Sequence, residues 1–112
     1  MGEKYSVAYK LDASAGASGT VNAFSVVTGR KLTLEKVTFV FPAGSNFQLQ
    51  VKLYRGEEQL IPNSGYIVGD GHAISISTDK TFESGQNVIV WYNNTDTTDA
   101  HSCLIVFEGV LD

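Results

Sequence analysis

One polar run gathers side chains able to do chemistry: Asn93, Asn94, Asp96, Asp99 and His101. Their oxygens could gather around calcium, and the run stands as the candidate binding loop. It lacks the Asp-x-Asp-x-Asp-Gly order with a closing Glu, and turn formers fill it. It therefore reads as a solvated tip held by Asx-turns. His72 and His101, with Asp70, Asp96 or Asp99, would make a zinc or iron site if their strand ends met, but no His-x-His or His-Glu spacing supports one. No metal and no other cofactor is expected. A Ser-His-Asp set can be assembled on paper, without a Gly-x-Ser-x-Gly elbow to carry it. Cys103, the single cysteine, lies in an apolar run, where a thiol behaves as a small hydrophobe. Asn93-Asn94-Thr95 fits the N-glycosylation pattern, taken as accidental in the absence of a secretory signal. No catalytic residue emerges, and the chain is expected not to be an enzyme. Tyr54, Tyr66, Trp91 and Tyr92 offer a different chemistry, because aromatic faces stack on pyranose rings. The competing reading makes them core and interface aromatics.

The elements that must position these groups centre on Gln86 to Phe107. Asn87 to Tyr92 and Cys103 to Phe107 read as apolar strands, joined as a hairpin by the polar run 93–102. Apolar on both faces, each belongs in the middle of a sheet. Lys4 to Leu11 alternates cleanly, with Tyr5, Val7, Tyr9 and Leu11 on one side. Phe47, Leu49, Val51 and Leu53 alternate with polar neighbours in the same way. Lys31 to Phe41 does not keep phase: Leu32 and Leu34 share one parity, Val37, Phe39 and Phe41 the other. A β-bulge near Glu35-Lys36 would bring all five to the core. Gly- and Asn-rich turns separate further short strands at a spacing near ~10 residues, and no helical period persists.

The pattern predicts an all-β fold, an antiparallel two-sheet sandwich, jelly-roll-like, with about eight short strands in a single domain over residues 1–112. Five Tyr, six Phe and one Trp, with frequent Val, Ile and Thr, suit that class. A formal net charge of −4 with scattered Lys and Arg excludes a basic footprint for nucleic acid. No apolar run approaches a membrane span, and no signal-peptide core follows Met1.

The segment Gly85-Gln86-Asn87-Val88-Ile89-Val90-Trp91-Tyr92-Asn93-Asn94-Thr95-Asp96, followed by His101 and an apolar strand ending in Gly109, resembles the ending of small single jelly-roll proteins of phages and other viruses. Gln86 stands where that pattern usually carries Asp or Asn. The resemblance covers about a third of the chain. It implies a jelly roll, self-assembly and no enzymatic activity, in a capsid, decoration or fibre component. It transfers no site residues.

The doubly apolar strands lead to the same place from the residues alone. A second sheet covers one face of each strand, and something must cover the other. The expected cover is another subunit, in a trimer or other closed homo-oligomer, with Val37, Phe39, Phe41, Trp91 or Tyr92 at or near the contact. Other virion proteins or glycans are further partners to consider, and the virion is the location the resemblance implies. The alternative function is a carbohydrate-binding module or lectin-like domain, resting on the four aromatics and the Asn/Asp loops. A small cupin-like metal enzyme lacks its histidine cluster.

Overall fold

Strand formers and turn residues alternate along the chain, and the computed structural model, which describes residues 2–112, follows them. Its strands are β1 (Glu3–Ala13), β2 (Ser18–Ser25), β3 (Leu32–Phe41), β4 (Leu49–Arg55), β5 (Glu58–Ile61), β6 (His72–Ser77), β7 (Thr81–Phe82), β8 (Asn87–Asn94) and β9 (His101–Leu111). The first sheet runs β1-β9-β3-β6, with β7 also on β3; the second runs β2-β8-β4-β5. Because β6 and β7 pair with successive stretches of β3, they act as one interrupted edge strand.

This order comes from a single long hairpin. Glu3 pairs with Leu111, Val21 with Val90, Val37 with Ile76 and Leu53 with Ile61. The chain is folded in half at the β4–β5 turn, where Gly56 takes φ 61°, a region that costs glycine little. The double ribbon is then rolled up, so that β9 lies against β3 and β8 against β4. Two four-stranded antiparallel sheets with this connectivity are a jelly roll.

The core lies between the sheets. Leu32, Leu34, Val37, Phe39 and Phe41 of β3 are all buried, as are Leu49, Val51 and Leu53 of β4, Val88 and Val90 of β8, and Cys103, Ile105 and Phe107 of β9. The phase shift in β3 is resolved as its pattern predicts: the pairing with β9 slips between Leu34 and Lys36. One extra residue, Glu35, returns both apolar sets to the same side. Gly109 lies opposite Leu34 in this pairing, and a Cβ there would collide with the Thr33 carbonyl. The bulge and the glycine are one feature, a close backbone approach that leaves no room for a side chain.

Three expectations need correction. β8 and β9 are both mid-sheet strands, but they do not form a hairpin, since β8 belongs to the second sheet and β9 to the first. The polar run between them bridges the sheets, as most connections of a rolled ribbon must. Phe47 does not continue the inward row of β4. It precedes the strand in a turn, with φ 58° and 58% of its surface exposed. Finally, Val37, Phe39 and Phe41, expected both in the core and near a contact, fill the chain's own core, and within 37–41 it is Thr38 and Val40 that face outward.

Candidate functional site

The candidate binding loop folds around its own polar groups. Asn94, at the end of β8, is buried, and its Nδ2 donates to the carbonyls of Ala13 (3.3 Å), Ser14 (3.1 Å) and Asp99 (3.0 Å). Its Oδ1 accepts from Asp96 N at 3.1 Å, and Asp96 Oδ1 accepts from Thr98 N at 2.9 Å and Asp99 N at 3.1 Å. These are successive Asx-turns, the arrangement the turn formers predict. Asp96 Oδ2 lies 2.9 Å from His101 Nε2, with the two side chains 20% and 10% exposed. The backbone N–H of Thr98, then the His101 ring and the N–H of Asp99, hold the Asp96 carboxyl below its ordinary value. Each of these contacts stabilises the carboxylate form.

Loop architecture thus accounts for both oxygens of Asp96 and for the amide of Asn94. Asn93 points the other way, where its Nδ2 donates to Gln50 Oε1 at 3.3 Å, and Asp99 is exposed. The five candidates therefore separate: Asn94, Asp96, Asp99 and His101 meet through hydrogen bonds, while Asn93 belongs to the outer face of the second sheet. His72 is exposed at the start of β6, where its Nδ1 is 2.8 Å from Asp70 O. Among the described residues, no three His, Cys, Asp or Glu side chains are grouped to hold a metal ion. Shallow grooves of about 250 Å³ and 390 Å³ flank the loop, one against Asp12 to Ser14 and the other against Pro42 to Ser45. Cys103 is buried in the core, and that burial pushes its thiol up to about 12, which leaves it inert as a nucleophile.

Neither outer face of the sandwich is uniformly polar. On the first sheet, Leu104 of β9 pairs with Val40 of β3 and Lys10 of β1, and Val40 in turn pairs with Ala73 of β6. The next outward row is Ala8, Val106, Thr38 and Ser75, the last two joined by a 3.0 Å hydroxyl hydrogen bond. Leu104 is 40% exposed at the centre of this patch. Salt bridges at its margins join Lys10 to Asp12 and Lys36 to Glu108. The aliphatic members were not singled out in the sequence, although their parity, opposite to the core set of β3 and β9, was the signal that could have found them.

On the second sheet, Trp91 and Ile89 face outward from β8, and Lys52 and Tyr54 from β4. Lys52 Nζ sits 4.3 Å from the Trp91 ring centroid, a cation–π contact. Of the four aromatics considered for sugar stacking, Trp91 and Tyr54 line one groove with Thr20, Gly56, Glu57 and Ile89. Tyr66 is exposed outside that groove, and Tyr92 packs against the core.

The folded chain is similar to solved virus structures. It matches a chain of the cyanophage Pam1 capsid asymmetric unit with a TM-score of 0.64 and 10% identity, over 98% of this chain and 85% of that one. It matches a chain of the capsid structure of Helicobacter pylori bacteriophage KHP30 with a TM-score of 0.59 and 16% identity, over 97% of this chain and 93% of that one. A third match is to the triple jelly roll of an archaeal virus turret assembly, with a TM-score of 0.56 and 12% identity. It covers 97% of this chain and 29% of that one. At these identities the likeness establishes the fold. No protein-family model and no curated protein matches the chain.

Proposed function

We propose that this chain is a non-enzymatic structural component of a virus or phage particle, of the capsid, decoration or fibre kind, working as a homo-oligomer. The observation that carries the reading is the rolled-hairpin topology, shared over nearly the full length of both partners with chains of two phage capsid structures. The loop chemistry supports it. The groups that could have served catalysis are bound into loop architecture, as Asp96, His101 and Asn94 are, or sealed in the core, as Cys103 is.

Self-assembly is supported by Val40, Leu104 and Val106, an aliphatic patch that crosses the two central strands of the first sheet and leaves Leu104 wet. Contact with a second copy through this patch, in a trimer or another closed ring, removes it from water. It replaces the contact expected at Val37, Phe39 and Phe41. Mass spectrometry of density-purified particles from the source culture tests the function. The chain is expected in the particle fraction in stoichiometric amount; its confinement to the soluble lysate, absent from particles, would contradict the proposal.

A further inference from the structure

We infer that the outer face of the second sheet is a binding site for a neutral oligosaccharide, seated in the groove between Trp91 and Tyr54. This does not depend on the chain being a virion component or on its assembly.

The groove is produced by register. Lys52 pairs with Trp91 and Tyr54 with Ile89, so Trp91 and Tyr54 are diagonal neighbours on adjacent strands, within reach of one ligand. Ile89 lies between them, Thr20 of β2 forms one rim and the Gly56-Glu57 turn the other. The groove is open and has a volume of about 540 Å³, within the range of small-molecule sites. Lys52 Nζ lies over the indole, 4.3 Å from its centroid, so a sugar stacks on the ring surface that Trp91 presents to the groove.

The surroundings decide what chemistry fits. The two rings and Ile89 offer apolar surface for the C–H faces of pyranose rings. Beyond the groove's own lining, which includes Thr20 and Glu57, the same outer face carries neutral hydrogen-bonding groups: Asn22 and Ser25 of β2, Asn87 and Asn93 of β8, Gln50 of β4 and Gln59 of β5. They are already ordered. Asn22 and Ser25 both bond Asn87 Oδ1, at 3.3 Å and 2.5 Å, and Asn93 donates to Gln50. Tyr54 Oη donates to Gln59 Oε1 at 3.4 Å, while Gln59 Nε2 is fixed to the carbonyls of Pro62 (2.7 Å) and Gly65 (3.0 Å). A stacking groove on a face whose amides and hydroxyls are already ordered loses little entropy when a sugar binds.

Other occupants fit less well. A second copy would have to seat a protruding segment in the groove and cover amides already bonded within the chain. A nucleic acid needs several cations tracking phosphates, and this face carries Lys52 over Trp91 and Glu57 in the groove, within a chain of net charge −4.

Trp91 is the sole tryptophan, so its emission reports on the groove directly. The test titrates maltohexaose, cellohexaose, mannohexaose and chitohexaose into the protein while that emission is followed. At least one is expected to give a saturable change with a Kd between about 10 μM and 1 mM. Tyr54→Ala, or Thr20→Arg with the fold checked by circular dichroism, should weaken it at least tenfold, while Tyr66→Ala should leave it unchanged. No saturable change with any of the four up to about 5 mM would overturn the proposal. So would saturation that both groove variants leave intact, which places the sugar elsewhere. An emission shift on diluting the protein from about 100 μM to 1 μM without sugar would assign the groove to a second copy, and would also overturn it.

Discussion

The two outer faces of the sandwich are built from the same kind of strand and differ in character. β9 and β8 are each central in their sheet, apolar inward and part apolar outward. Outside β9 the surface is aliphatic, with Leu104, Val40 and Val106 set among salt bridges. Outside β8 it is aromatic, with Trp91 and Tyr54 set among amides and hydroxyls and hollowed into a groove. An aliphatic patch gains from being covered and recognises little. An aromatic groove with ordered amides can orient a polar ligand. On the proposed reading, a doubly apolar strand signals an outer partner, and the neighbouring strands decide which kind fits.

The comparison can be broken first at the layer beneath both faces. Phe39 is fully buried on the inner side of β3, one residue from outward-facing Val40. Phe39→Ala is expected to cost the fold about 3–5 kcal/mol in denaturant unfolding. Val40→Ala should cost far less and act on association. Equal losses for the two would mean that the inner and outer sides of β3 are misassigned.

The bulge that aligns both sides of β3 comes next. Gly109→Ala drives a methyl group into the Thr33 backbone, and a loss of about 1–3 kcal/mol is expected. Unfolding that matches the unmodified protein would show that β3 and β9 do not approach so closely. At the surface, Leu104→Asp and Ile89→Asp should each cost folding about 1 kcal/mol or less, the span of strand propensity. They part in consequence: the first is expected to dissociate the assembly and the second to leave it intact.

The smallest effect belongs to the loop between the two strands. Asp96 has its carboxyl lowered by Thr98 N–H, His101 and Asp99 N–H. A lowered carboxyl contributes stability that is complete above its ordinary value of 3.8 and fades as pH falls through the depressed one. Amide exchange at Thr98 and Asp99 should therefore show protection that holds from neutral pH to about 4 and declines below it. Asp96→Asn should remove that step. Protection unchanged to pH ~2 would mean that the Asx-turns do not depend on the charge.

Much of this architecture was legible in the residues. The alternation of β1, the central places of β8 and β9, and the bulge from the clash of parity between Leu34 and Val37 follow from local pattern, because side-chain direction has period two. What the pattern could not supply is pairing between distant strands. The polar run 93–102 looks the same whether it closes a hairpin or bridges two sheets, and only the roll of the whole ribbon decides. Phe47 kept the parity of β4, but tertiary contacts, including Phe47 N to Gly69 O at 3.3 Å, set it in a turn. Val37, Phe39 and Phe41 were read both as core, through the bulge, and as near a contact; they fill the chain's own interior. Tyr54 and Trp91 were both visible as stacking residues; their sharing a groove, which Tyr66 and Tyr92 do not, depends on the β4–β8 register.

The central claim is that the jelly roll assembles with itself through the aliphatic outer face of the first sheet. Size-exclusion chromatography with light scattering at about 100 μM reads this directly. A discrete multiple of the 12.1 kDa chain is expected for the unmodified protein, reduced to the monomer mass by Leu104→Asp. A clean monomer before any substitution, or an assembly that Leu104→Asp leaves unchanged, would contradict it.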